Sequence, residues 1–446
     1  MRHSLLALAL VAGLAAGHKA DTPTTPAAGD SAAATATAAS EADTAFADLS
    51  KRALDGWFQL SPVGATQTGE HAYDAELDDL SAEGREKSLE FSRKILAELD
   101  AMDASTLSRE NQVDAAILRN QLRYDLWTAE TLQNWAWDPQ VYNGLAGSAI
   151  YGLMAREFAP LPQRIRSATA RMEKIPALLE QARANLDPAR VPKVHAETVA
   201  RQNAGILSIV ETFITPNLHL LSAADREKAE AATVALKEAV DAHQKWLDET
   251  LVPNAKGEFR IGAALYDQKL QFALLSSLSR ADIKQRAEGE LVRVRGEMYG
   301  IARQVLKDRP GAPELPDSPT PEQQQKAIEA ALELAYAERP ARDKVVPDAE
   351  AALAHATEFV RTKDLVTLPD APVEIIEMPE FQRGVAVAYC DSPGPLDKNL
   401  KTFYAVSPIP EDWDQAQVDS FLREYNSRMI HLLSIHEGTP GHYLEG

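Results

Sequence analysis

Large apolar residues recur at intervals of three and four through most of the chain, which is the spacing of one face of an α-helix. One such stripe contains Phe46, Leu49 and Trp57, and another contains Val113 and Ile117. Longer helices are predicted over residues 161–186, 196–215, 223–251, 263–278, 280–307 and 321–339, with breaks at prolines and glycines. The pattern therefore predicts a helical scaffold over residues 44–369.

The pattern changes after residue 369. Short β-branched and aromatic segments near 373–376, 385–389 and 403–406 are separated by Pro and Gly, as is typical of a small sheet. Apolar residues from Val418 to Leu433 then predict a last helix, capped by Asp412 or Asp414. We therefore predict a mainly α fold with a small β-sheet, in which residues 370–446 form the sheet and the final helix.

The N-terminus has the composition of an exported protein. Residues 1–17 begin with a positive charge at Arg2, continue with an apolar run and end in small residues, which predicts a signal peptide. The run is shorter than the about 20 apolar residues that span a bilayer. Residues 18–43, rich in Ala, Thr and Pro, are predicted to be a disordered tether. Because His18 stands where a lipoprotein would have cysteine, we expect a periplasmic or secreted protein without a lipid anchor or an integral membrane segment after signal removal.

The net charge limits the expected partners of the protein, and the cysteine content limits the covalent bonds that can stabilise it. The chain has 46 Lys and Arg against 66 Asp and Glu, a formal net charge of -20. Nucleic acid is excluded as an expected partner because phosphate binding needs a basic surface. The only cysteine, Cys390, rules out an intrachain disulfide, and its apolar neighbours predict a half-buried structural residue.

The most distinctive segment reads His-Glu-Gly-Thr-Pro-Gly-His over residues 436–442. On a regular helix, this six-residue interval corresponds to about 600° of rotation and about 9 Å of rise, so the two imidazoles would lie on different faces. They can share an ion only if the helix is interrupted, and Pro440 with its flanking glycines provides the break. We predict that His436 and His442 bind Zn²⁺ and that Glu437 is the general base. The alternative is a frayed helix end that holds two histidines by coincidence.

This motif resembles the signature of a bacterial family, domain of unknown function 885, which is grouped with zincin-type metallopeptidases of the gluzincin kind. The resemblance extends from about residue 45 to the end. It implies a zincin-like helical scaffold, a peptide substrate, zinc ligands at His436 and His442, and a general base at Glu437. It also implies a third ligand, a downstream glutamate. Because the sequence ends at Gly446, we expect a chain truncated at its C-terminus, with Glu445 as the candidate substitute ligand and impaired activity.

Tyr404 is a candidate substrate-binding residue. It lies in a β-type segment that we predict to be an edge strand before the motif helix, and edge strands can pair with extended peptides. An ordinary sheet residue is the alternative. Two functions therefore remain open: a zinc-dependent peptidase that hydrolyses peptide bonds, and a non-catalytic periplasmic helical protein, a decayed enzyme that binds peptide or a partner.

Overall fold

The structure is a computed structural model that describes residues 40–369, 371 and 373–444. The chain divides into two compact units. Among the described residues, the first unit comprises those up to Leu275 together with Glu380–Gln382 and Pro393–Leu400, and the second comprises the others from Ser276 onward. The predicted scaffold of residues 44–369 therefore contributes to both units.

The first unit is helical. Its helices are α1 Glu41–Leu60, α2 Pro62–Thr68, α3 Ala82–Asp100, α4 Arg109–Trp127, α5 Gln140–Met154, α6 Leu161–Met172, α7 Ile175–Asn185, α8 Lys193–Gln202, α9 Gly205–Ile209, α10 Ala223–Trp246, α11 Val252–Asn254 and α12 Ala263–Leu274. The Ser40 hydroxyl caps α1 by accepting from the Asp43 amide, so the last residues of the predicted tether are helical. The predicted signal peptide and residues 18–39 lie outside the described residues.

The helix predicted over residues 161–186 is two helices. Helix α6 ends at Met172, and α7 begins at Ile175 with Pro176 in its first turn. A proline ring clashes with the carbonyl four residues earlier and lacks the N–H that would bond to it. Pro176 would meet the carbonyl of Met172, so a single helix is prevented there. The apolar core of this unit includes Ile150, Leu153, Ile165 and Met172, all fully buried.

The second unit combines helices with the predicted sheet. Its elements are α13 Arg280–Leu306, α14 Pro321–Tyr336, α15 Val345–Lys363, β1 Val373–Glu377, β2 Ala388–Asp391, β3 Thr402–Val406, α16 Gln415–Glu424 and α17 Ser427–Glu437. The strand order is β1-β3-β2, with β1 parallel and β2 antiparallel to β3. The mainly α fold with a small sheet is therefore confirmed, and β3 is the central strand.

The predicted final helix is also divided in two. Asp414 caps α16, accepting from the Gln417 amide, as one of the two predicted caps. Asn426 then caps α17 by accepting from the amides of Arg428 and Met429. Both helices contribute to one apolar core with the sheet, through Val418, Leu422 and Ile430. The apolar stripe continues across the break, which is why its periodicity alone predicted one helix. Over the part of the chain that the structure describes, every helix is too short or too polar to cross a bilayer.

Candidate metal centre

The two motif histidines meet at the end of α17. His436 lies in the last turn of this helix, and His442 begins a short 3₁₀ turn, His442–Leu444. Their ring centroids are 4.6 Å apart, with the ring planes inclined by 71°. One potential ligand atom from each of His436, Glu437 and His442 lies within 4.8 Å of the other two. The predicted interruption of the helix is therefore confirmed, and it brings the two imidazoles together.

Two glycines make the turn feasible by lacking a side chain. The Gly438 amide donates to the Ser434 carbonyl, the last regular helical bond, and the Gly441 amide reaches back to the Ile435 carbonyl. A Cβ at Gly441 would lie 2.0 Å from the His436 carbonyl oxygen, and one at Gly438 would lie 2.7 Å from the Ser434 carbonyl oxygen. Close approach, rather than a left-handed backbone, therefore requires glycine at both positions.

The loop between the histidines is anchored on both sides. Thr439 is 2% exposed, and its hydroxyl lies 3.1 Å from the Thr357 hydroxyl, which donates to it from α15. The hydroxyl of Tyr443 donates to the carbonyl oxygen of Ala371. These contacts hold the segment that carries His442 against the body of the second unit.

Glu437 is positioned by a strand. Its side chain is buried, and its Oε2 accepts a hydrogen bond of 2.9 Å from the backbone amide of Cys390 in β2. This bond fixes the carboxylate beside two exposed imidazoles. Cys390 is half-buried, as predicted. Sequence reasoning missed the role of its amide, because a backbone donor has no residue-type signature.

The donor set suits zinc. Two imidazole nitrogens are among the groups that bind Zn²⁺ in proteins, and both rings are exposed, so an ion and a substrate can reach them. Among residues 40–369, 371 and 373–444, this is the one group of three or more His, Cys, Asp or Glu side chains whose potential ligand atoms all lie within 4.8 Å of one another. The residues that the motif supplies therefore fit the ion that the sequence predicts.

The edge-strand prediction for Tyr404 is wrong. Tyr404 lies in the central strand β3, is fully buried, and has its hydroxyl 3.4 Å from that of Ser434. Burial raises the pKa of Tyr404 to about 12. Strand periodicity reports which residues alternate but not where a strand lies in the sheet, so it could not exclude this position. Glu445, the candidate substitute ligand, lies outside the described residues.

Comparison with known proteins shows the family. A profile described as "Bacterial protein of unknown function (DUF885)" matches residues 62–446, so the chain belongs to this family. Solved structures similar to it include a protein of unknown function from Shewanella oneidensis, provisionally described as a lipoprotein. That protein is 31% identical, the match covers 90% of this chain and 71% of that chain, and the TM-score is 0.66. No curated protein matches the chain.

Proposed function

Starting from membership of this family, we propose that the chain is a zinc-dependent peptidase of the zincin type that hydrolyses peptide bonds. One observation carries the proposal. A helix break that needs two glycines brings His436 and His442 within ligand distance of each other and of a carboxylate held by a strand. A coincidental helix end would not require such a turn.

The side chains have separate roles in this proposal. His436 and His442 would hold the ion through neutral imidazole nitrogens, the form of histidine that binds metals. When bound, zinc supplies a Lewis acid that polarises a carbonyl and makes water more acidic. Glu437 takes a proton from the attacking water and returns it to the leaving amine. Because Cys390 donates to Oε2, the other oxygen, Oε1, is the one assigned to proton transfer.

The outer edge of β2 positions the proposed base. Val387 accepts from the Ser407 amide, so the alternating pattern of an antiparallel pair directs the backbone groups of Ala388 and Cys390 away from β3. The outward Cys390 amide donates to Glu437 Oε2 at 2.9 Å. We therefore assign this edge to holding the carboxylate in place.

The experiment combines metal content with hydrolysis. Purified protein is loaded with zinc, dialysed and analysed for metal, and hydrolysis of a mixture of unstructured peptides is followed by mass spectrometry. We expect His436→Ala to lose one equivalent of bound zinc relative to the parent chain and Glu437→Gln to lose none, with hydrolysis lost in both variants. His219→Ala, a change of an exposed histidine outside the motif, is the matched control and should alter neither property.

Three outcomes would contradict the proposal. Hydrolysis that survives Glu437→Gln would assign the chemistry to other residues. Zinc retention that is equal in His436→Ala and the parent chain would remove the motif from metal binding. Peptide binding without hydrolysis by the zinc-loaded parent chain would favour the non-catalytic alternative.

A further inference from the structure

A second pair of histidines meets in the second unit, outside the motif. His355 lies on α15 and His431 on α17, and their ring centroids are 5.1 Å apart with the planes inclined by 57°. His355 is exposed and His431 is half-buried, so solvent reaches the pair. We propose that His355 and His431 form a second metal site, which takes a divalent transition ion that accepts imidazole nitrogen, such as zinc or copper.

The separation of the rings suits one shared ion. A tetrahedral ion bonded at about 2.0 to 2.1 Å to one nitrogen of each ring places the ring centres roughly 5 Å apart. The pair has this separation. Imidazole is a good ligand for zinc and for copper, and copper binds the same set of nitrogen ligands more tightly. The separation of the two rings is therefore compatible with one ion that binds a nitrogen of each.

The two helices that carry the pair are held together by contacts near it. The Ser434 hydroxyl on α17 donates to the Ala349 carbonyl on α15, at 3.4 Å. Leu353 lies against Gly438, and Thr357 bonds to Thr439. An ion would therefore meet two ligands on elements that are already packed, so little conformational entropy would be lost on binding.

The surroundings predict a site that is weaker than the motif centre. Within the described residues, the pair has no third His, Cys, Asp or Glu ligand atom within 4.8 Å of both rings. Glu358, one turn after His355 on α15, is already bonded to Arg361 and Thr362. Both histidines line a pocket of about 350 Å³ whose other walls include Phe359 and Ile435. The remaining coordination positions would therefore be filled by water or by a small ligand in this pocket.

An ion here would act on the motif helix. His431 lies five residues before His436 on α17, so a bridge from His431 to α15 would restrain the helix that carries His436 and Glu437. An ion that binds only the folded state raises the free energy of unfolding, and the increase grows with the concentration of the ion. We therefore expect excess zinc to raise the melting temperature even when the motif histidines are replaced.

The test removes the motif site first. The full chain with His436→Ala and His442→Ala is titrated with Zn²⁺ against a chromophoric chelator, and its Cu²⁺ complex is examined by electron paramagnetic resonance. We expect one remaining equivalent of bound ion, with coupling to two nitrogens in the copper spectrum. Adding His355→Ala or His431→Ala should weaken binding at least tenfold and reduce the number of coupled nitrogens. Adding His219→Ala should change neither measurement.

Three results would overturn the second site. The first is that the motif double variant binds neither zinc nor copper. The second is that one equivalent of bound ion persists after both His355 and His431 are replaced. The third is that these replacements leave the copper spectrum unaltered. His355→Gln serves as a second variant, since an exposed glutamine at this helical position conserves the fold. The proposed peptidase can fail its own test without affecting this one, because the motif histidines are absent throughout.

Discussion

The two units each contain a charged centre, and the centres differ in what surrounds them. In the first unit, Arg171 is fully buried and donates to the carbonyl oxygens of Glu76, Ala149 and Pro62 and to the hydroxyl of Thr66, at 2.7 to 3.0 Å. In the second unit, the buried Glu437 adjoins two imidazoles that reach solvent. The first centre is enclosed by the protein, whereas the second faces solvent with groups that bind metals.

The difference separates a structural centre from a functional one. Burial lowers the pKa of Arg171 to about 10, yet the guanidinium stays charged at neutral pH, and its donors are directed at buried acceptors of several segments. Such a side chain ties several segments together. The histidines of the motif have ring nitrogens suited to an ion, and the backbone is bent to bring them together. A buried charge indicates function only when its partners leave room for a ligand.

Removing the enclosed charge should have the largest effect. Arg171→Met would remove the buried charge-assisted hydrogen bonds to the carbonyls of Glu76, Ala149 and Pro62, and we expect a loss of about 3 to 5 kcal/mol in the free energy of unfolding. Urea denaturation followed by circular dichroism measures the loss. Arg166→Met, which changes a half-exposed arginine five residues earlier, is the control and should cost less than about 1 kcal/mol. Equal losses in the two variants would show that Arg171 does not hold the first unit together.

The ionic cluster next to Arg171 should make the first unit sensitive to alkaline pH. His71 lies 3.1 Å from both Asp74 Oδ2 and Asp397 Oδ1. Burial alone would lower the pKa of His71, but hydrogen bonds to Asp397 and Asp74 outweigh it and raise the pKa to about 9.

The pKa of His71 in the folded protein exceeds its unfolded value of about 6.5. The contribution of His71 to the free energy of unfolding is therefore complete below pH 6.5 and is lost as the pH rises through about 9. We expect a loss of the order of 1 to 3 kcal/mol over this range. Unfolding of the parent chain and of His71→Gln at pH 6 and pH 10 measures it. The free energy of unfolding of His71→Gln should depend less on pH than that of the parent chain. An equal pH dependence in the two proteins would contradict the role assigned to the contacts of His71 with Asp74 and Asp397.

A methyl group at the motif turn should damage the open centre. In Gly441→Ala the added Cβ would meet the His436 carbonyl at 2.0 Å, so the turn must shift. We expect a loss of about 1 to 3 kcal/mol in stability and at least a tenfold loss of zinc affinity. Gly289→Ala is the matched control, since a Cβ at Gly289 meets nothing within 4 Å and alanine favours the helix. Wild-type zinc affinity in Gly441→Ala would show that the turn does not position the ligands.

The smallest effect on stability is expected at the proposed base. Glu437→Gln retains an oxygen that can accept from the Cys390 amide, so we expect the free energy of unfolding to change by less than about 1 kcal/mol. Thermal unfolding without metal provides the measurement. A loss as large as that of Arg171→Met would assign Glu437 a structural role and remove the contrast between the two centres.

Sequence reasoning succeeded where local geometry is decisive. The mainly helical fold, the small sheet, the Asp414 cap and the meeting of His436 with His442 all follow from periodicity, capping and the behaviour of proline and glycine. It failed at Pro176, where two helices replaced one although the proline was visible, because the apolar stripe was given more weight than the break. The helix break at Asn426 was also missed, because the apolar stripe continues across it.

By itself, the sequence indicated that the motif helix must break if both histidines bind one ion, because an interval of six positions on a regular helix places them on different faces, and glycine and proline permit the break. Tertiary structure decided which groups surround the break. The Cys390 amide reaches Glu437, Tyr404 lies in the central strand, and His355 meets His431 only because distant segments pack together. Backbone sterics act over a few residues and can be inferred from them, whereas strand order and side-chain neighbours depend on the packing of the whole unit.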